Sequence, residues 1–293
     1  MPTIPEIIKT RGFAITCELN PPKGVDLEPL KNTAAIVKPF VDAINLTDSH
    51  RAKMSMSPIG AAKTLIDTGI PPILQITGRD RNQIAIQADL LAASSMGVEN
   101  ILCMSGDNPS QGDHPNAKGV FDLDAFGLLR AVGALNHGQD LGGSNLRSAP
   151  KLCAGAVANP VAPEPKIEME RLGKKLEAGA HFIQTQPVFD AKEFELFASG
   201  TKESGVPILA GVIVIKSVKM AKTLNSIPGI TVPDSIISRL ASSEDLKNTS
   251  SEIAAEIISD LLELTKGVHI MAIGWENQIP PILERVGIRK KLS

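Results

Sequence analysis

Residues 13–23 read FAITCELNPPK. Phe13-Ala14-Ile15 opens an apolar run, Glu18 closes it, and Pro21 and Pro22 follow at once. Proline has no amide proton for a strand ladder and fixes its own φ, so the strand stops here and leaves by a stiff exit. A carboxylate therefore stands at the lip of the first strand. The same kind of run recurs at 42–47 (DAINLT), 72–77 (PILQIT), 99–105 (ENILCMS), 151–157 (KLCAGAV), 181–186 (HFIQTQ), 207–213 (PILAGVI) and 267–273 (GVHIMAI). Near-continuous apolar strands are what a parallel sheet covered on both faces requires. Helical stretches lie between them at 28–38, 58–69, 81–96, 123–136, 164–178, 190–203 and 248–266, with another at 277–286. Strands and helices in this alternation predict an α/β fold, a single (β/α)8 TIM barrel spanning residues 1–293. No GxGxxG follows the first strand and no GxxxxGK[ST] occurs, which argues against dinucleotide-fold and P-loop alternatives.

Composition narrows the class of function. Hydrophobic residues make up 43% of the 293 and charged residues 21%, as in a globular protein with a large core. A formal charge of -2, with 3% aromatics and no tyrosine, speaks against a nucleic-acid surface. Cys17, Cys103 and Cys153 are far apart and show no metal-ligand spacing, so no metal site is expected and the setting is read as reducing and cytoplasmic. The first residues lack the apolar core of a signal peptide, and no apolar run reaches the ~20 residues of a membrane span.

Barrels of this kind carry their chemistry on the C-terminal strand ends. Those ends contain Glu18, Asn45, Gln75, Ser105-Gly106-Asp107, Asn159 and Gln184-Thr185-Gln186, whereas the strand bodies are apolar. Taken singly, each has a structural alternative. Glu18 could pair with Lys23, Asp107 sits in turn chemistry, and Gln186 precedes Pro187 as a strand-end hydrogen bonder. The cysteines read as core thiols, His50 and His114 as surface polarity, and Trp275 as packing. Their joint placement at one mouth is what points to a polar site. The irregular segment 107–121 is expected to reach over that mouth, and 137–150 to lie on the opposite face.

The ordered set CELNPP, ITGRDRN, MSGDNP, GAVANPVAPE and LEAGAHFIQTQPVFD resembles the methylenetetrahydrofolate reductases, and the match runs over roughly residues 10 to 286. The resemblance implies a flavin-dependent barrel that reduces 5,10-methylenetetrahydrofolate to 5-methyltetrahydrofolate. It assigns Glu18 as the acid that opens the methylene-bridged ring to an iminium cation, and Asp107 as the charge that stabilises this cation. Glu18, Asp107 and Gln186 would bind the pterin, and a carboxyl with a raised pKa is expected at Glu18.

The same resemblance places Asn45, Gln75, Ser105, Gly106, Asp107, Ala156, Asn159 and Lys175 around the cofactor, expected to be FAD, with FMN the other flavin. NADH, NADPH or a reduced carrier would supply electrons, and a homo-oligomer or a complex with an electron-donating subunit is implied. Ser105 stands where several members carry arginine, Gln75 where histidine is common, and Val218 where an aromatic packs on folate. Two other readings stay open. One is a flavin-independent reductase that takes hydride from a nicotinamide; the other is a folate-binding subunit dependent on a partner protein.

Overall fold

The computed structural model describes residues 1–227 and 229–288. Position 228 and positions 289–293, which the expected 1–293 domain includes, lie outside the described residues. In chain order the elements are α1 (Ile4–Arg11), β1 (Ala14–Leu19), α2 (Glu28–Val37), β2 (Ala43–Leu46), α3 (Pro58–Asp67), β3 (Pro72–Thr77) and α4 (Gln83–Ser95). They continue with β4 (Asn100–Met104), α5 (Ala125–Asn136), β5 (Cys153–Ala158), α6 (Pro165–Glu177), β6 (Phe182–Pro187) and α7 (Ala191–Thr201). The last are β7 (Ile208–Ile213), α8 (Val218–Leu224), α9 (Asp234–Ala241), α10 (Leu246–Leu261), β8 (Gly267–Met271) and α11 (Ile279–Arg285).

Strands β1 to β8 pair in sequence order, all parallel, and β8 closes on β1 through Ala14 opposite Gly267. The expected (β/α)8 TIM barrel is therefore present. Alternation along each strand divides the apolar side chains into two sets. One set, including Cys17, Ile44, Leu74, Cys103, Ala156 and Ile183, packs against the helix ring. The other, Ala14, Ala43, Ile73, Leu102, Cys153, Phe182 and Leu209, fills the barrel floor. All three cysteines are buried thiols, and burial pushes those of Cys103 and Cys153 up to about 12.

Helix α1 plugs the floor, with Ile4 and Ile7 joining the interior set. Its N-terminus is fixed by a reciprocal cap: the Thr3 hydroxyl accepts from the Glu6 amide, and the Glu6 carboxylate accepts from the Thr3 amide at 2.8 Å. Asn100 binds it to the barrel, accepting from the Ile4 amide at 2.9 Å and donating to the Pro2 carbonyl at 3.1 Å. Thr3→Ala removes the cap, and its loss is expected to lower unfolding free energy by about 1 kcal/mol in urea titration. An unchanged midpoint would mean that packing of the two isoleucines alone holds the plug.

Helices α1, α8 and α9 have no counterpart among the segments read from the sequence. Each has only seven or eight residues, too short for the helical period to stand out. The segment 137–150 forms a small antiparallel turn through Gln139 and Asn145 and leads into β5. No helix among the described residues is long and apolar enough to cross a membrane.

Candidate active site

Above the floor, polar side chains replace apolar ones at the inward positions. Thr16, Asn45, Gln75, Gln184 and His269 are each less than 7% exposed, yet no buried side-chain nitrogen or oxygen among the described residues lacks a hydrogen-bond partner. Asn45 and Gln184 form a two-point amide pair, with Asn45 Nδ2 donating at 2.8 Å and Gln184 Nε2 at 3.2 Å. Gln184 Nε2 also donates to Thr16 Oγ1 at 3.3 Å, and Thr16 Oγ1 lies 2.9 Å from His269 Nδ1. His269 Nε2 is 3.9 Å from Glu18 Oε2, the same oxygen that accepts from Gln75 Nε2 at 3.0 Å.

Glu18 and Gln75 are thus brought together at the mouth, with the Glu18 side chain 13% exposed. Burial alone would raise the Glu18 pKa, but the His269 hydrogen bond and charge, the His50 charge and the Gln75 bond outweigh it. The carboxyl is held below the ordinary glutamate value. The sequence expectation of a raised pKa is therefore corrected. An imidazole on β8 faces the carboxyl, and the burial argument had no place for it.

The loop after β2 is held by Asp48, which accepts from Thr77 N and Oγ1 and from both terminal nitrogens of Arg81, at 2.7 to 2.9 Å. This fastens the β2 and β3 exits to each other. Ser105, Gly106 and Asp107 follow β4. Gly106 has φ +89°, and a Cβ there would come within 3.0 Å of Thr77 and Arg79, so glycine is needed at this turn. Ser105 Oγ accepts from the Ala125 amide at 3.3 Å, and Asp107 is exposed. Arg79 is kept charged chiefly by its bond to Asp80, against burial, with further help from the Asp48 and Asp107 charges.

Beyond Asp107 the segment crosses the mouth as the sequence led one to expect. Asp113 pairs with Lys23 after β1 and accepts from the Met54 amide at 2.9 Å. Val120 and Phe121 then bond the carbonyls of Arg79 and Gly78. On the other side, β6 shifts register against β7 between Gln184 and Pro187. Gly211 makes room for this, since a Cβ there would lie 2.3 Å from the Thr185 carbonyl. The bulge leaves Gln186 exposed at the end of β6.

The remaining positions implied for a flavin lie on β5, just after it and on α6. The Ala156 side chain belongs to the helix-facing set. Lys175 Nζ donates to the Val157 carbonyl at 2.6 Å beside Glu168; burial pushes its pKa down, against the Glu168 charge. Asn159 closes a turn onto the Val161 amide at 3.1 Å, and its own amide donates to Glu168. Asn45 and Gln75 are hydrogen-bonded to Gln184 and Glu18 inside the barrel, while Ser105 and Asp107 are exposed at the β4 exit. No group of metal ligands occurs among the described residues.

His269 and Thr16 were not singled out from the sequence, and Gln184 was read only as part of the β6 strand end, without a role. The available signal was a polar residue at an inward position inside an apolar run, as in GVHIM and FIQTQ.

A parallel barrel with an acid on its first strand, a charged turn after its fourth and an amide on its sixth defines a small-molecule enzyme of the (β/α)8 class. Residues 3–287 match the methylenetetrahydrofolate reductase family, and the chain belongs to it. A probable methylenetetrahydrofolate reductase (NADPH) from Caenorhabditis elegans is 25% identical over 98% of this chain and 44% of its own length. The 5,10-methylenetetrahydrofolate reductase of Pectobacterium carotovorum subsp. carotovorum is 20% identical over 95% of this chain and 92% of its own. The chain spans less than half the length of the eukaryotic relatives from C. elegans and Schizosaccharomyces pombe. Among solved structures, an uncharacterized protein from Clostridium thermocellum that binds two copies of 5-methyl-5,6,7,8-tetrahydrofolic acid superposes with a TM-score of 0.65. It is 17% identical, covering 98% of this chain and 100% of that one, and shares the fold.

Proposed function

We propose that this chain reduces 5,10-methylenetetrahydrofolate to 5-methyltetrahydrofolate in one-carbon metabolism, as a single catalytic domain over 1–293. The observation that carries the reading is Glu18, a carboxyl oriented at the mouth by Gln75 on one side and faced by His269 on the other. Glu18 protonates a nitrogen of the methylene-bridged ring, the ring opens to an iminium cation, and a hydride adds to the exocyclic carbon. Asp107 stabilises the cation and accepts from the amino edge of the pterin, while Gln186 hydrogen-bonds the same ring. The cellular setting is cytoplasmic, and the working form is a homo-oligomer or a complex with an electron-donating subunit.

The hydride carrier implied by family resemblance is FAD, with FMN as the other flavin, recharged by NADH, NADPH or a reduced carrier. The hydrogen-bonded side chains of Asn45, Gln75, Asn159 and Lys175 favour a second reading, in which a dihydronicotinamide delivers hydride directly. Titration with FAD and FMN, followed by assay of flavin-stripped protein with NADH and NADPH, separates the two. Methyltetrahydrofolate formation without flavin is the result expected for direct transfer. Tight flavin binding, with activity lost on stripping, restores the flavin reading. No folate reduction under either condition would reject the activity itself.

A further inference from the structure

Two lysine ammoniums meet at one indole on the rim of the mouth. Lys216 follows β7, Lys247 stands in the first turn of α10, and Trp275 follows β8. Lys216 Nζ lies 6.0 Å from the centre of the Trp275 ring and Lys247 Nζ 5.8 Å, within reach of cation–π attraction. Like charges gathered at one ring repel, and a shared anion removes that cost. No ion pair joins either ammonium to a carboxylate among the described residues. The acids next to them in the chain are turned to backbone: Glu276 accepts from the Gly274 amide at 2.6 Å, and Asp245 from the Lys247 and Asn248 amides at 3.1 Å.

The turn that places the indole is strained. Ile273 has φ +49° and Gly274 φ +84°, and left-handed backbone is a genuine outlier for a β-branched residue. Lys216 Nζ holds the Ile273 carbonyl while Glu276 holds the Gly274 amide, so the turn is fixed from both sides. Strain of this kind collects at ligand clamps, where the surrounding structure enforces it. Strand β8 pairs with β7 through Met271 opposite Ile213 and with β1 through Ile270 opposite Cys17, so the clamp stands beside the strand that carries Glu18.

We propose that Lys216 and Lys247, gathered on Trp275, form the seat for the glutamate carboxylates of the folate tail. The inference rests on the folate-reduction reading and deepens it. A methylenetetrahydrofolate whose pterin meets Glu18, Asp107 and Gln186 carries an aminobenzoyl ring and a glutamate with two carboxylates at its other end. One dicarboxylate between the two ammoniums neutralises both. Lys216 is half-buried and makes the stronger contact; Lys247 is exposed and makes the weaker one. Neither lysine touches a reacting atom, so their part is to select the tail.

The test compares tetrahydrofolate with tetrahydropteroate, which lacks the glutamate, by calorimetric titration of the full chain. The parent should bind tetrahydrofolate more tightly, and the preference should shrink as salt is raised. Lys216→Met should weaken tetrahydrofolate binding about tenfold and Lys247→Met about threefold, with tetrahydropteroate affinity unmoved in both. In turnover the same variants should raise KM for methylenetetrahydrofolate and leave kcat and the KM for the electron donor near parental values. Lys216→Met also loses the bond to Ile273; if it does not fold, Lys247→Met decides the matter, since that side chain is exposed and makes no hydrogen bond among the described residues. Equal losses for both ligands, or no loss for either, would overturn the proposal. So would a raised donor KM with the folate KM unchanged, which would give the seat to dinucleotide phosphates. A parent that shows the tail preference but forms no methyltetrahydrofolate would reject the proposed activity and leave the seat standing. A parent that reduces folate without any tail preference would reject the seat alone.

Discussion

Glu18→Gln is expected to lower methylenetetrahydrofolate reduction by about 10²–10⁴-fold, the range over which a positioned general acid acts. The amide preserves size and can still meet Gln75, whose own amide flips to present its oxygen, so folding and the mouth's shape should persist. What disappears is the proton for ring opening. Folate binding, followed by fluorescence quenching, should therefore change far less than kcat. Asp107→Asn is the informative contrast, because a charge that both holds the pterin and stabilises the cation affects KM and kcat together. Glu18→Gln turning over at the parental rate would reduce Glu18 to a structural cap on the β1 exit.

The second large effect is on stability. Asp48 is 4% exposed and binds Thr77 twice and Arg81 twice. Asp48→Ala leaves the partly buried Arg81 guanidinium with Asp89 and a long contact to the Thr77 carbonyl, and strips the Thr77 amide of its acceptor, at a cost of about 3 kcal/mol. Burial would raise the Asp48 pKa, but Arg81 and Thr77 overcome it and hold the folded value below the usual aspartate range. A group lowered in this way stabilises the fold above the unfolded-state pKa of about 3.9 and loses that contribution as pH falls through the folded value. Urea midpoints of parent and variant should thus differ most near neutrality and converge in strong acid. A gap that stays constant down to the acid transition would mean that the ionised carboxylate is not what Asp48 contributes.

The barrel was legible because period-two burial and near-continuous apolar strands survive in a single sequence. Each β run from FAITCE to GVHIMAI lies on a strand, with ends displaced by a residue or two. Glu18 was legible for the same reason, since a carboxylate before two prolines can only sit at a strand exit. His269 was not. Whether it meets Glu18 depends on closure of β8 onto β1, a contact between residues about 250 positions apart that no local pattern encodes. Ala156 and Lys175 show the converse. They occupy expected positions in the chain, but alternation turns Ala156 to the helices, and the long Lys175 stem reaches a strand carbonyl. The direction of the Glu18 shift was missed because burial and a facing imidazole oppose each other, and only geometry decides which prevails.

The segment crossing the mouth is fastened at Asp113 and again at Val120 and Phe121, while residues 114–119 between the fastenings are all exposed. Chain length in that interval is nearly free. Doubling a flexible loop costs only about 0.6 kcal/mol of closure entropy, and within the interval only His114, next to Asp113, touches either fastening. A peptide arm of another sequence could be spliced at Asn116 and hang over the entrance without moving Glu18 or Asp107. The barrel therefore offers an insertion port beside its own doorway, where a recognition element or reporter can be added while the floor, the polar chain and the strand ends stay as they are.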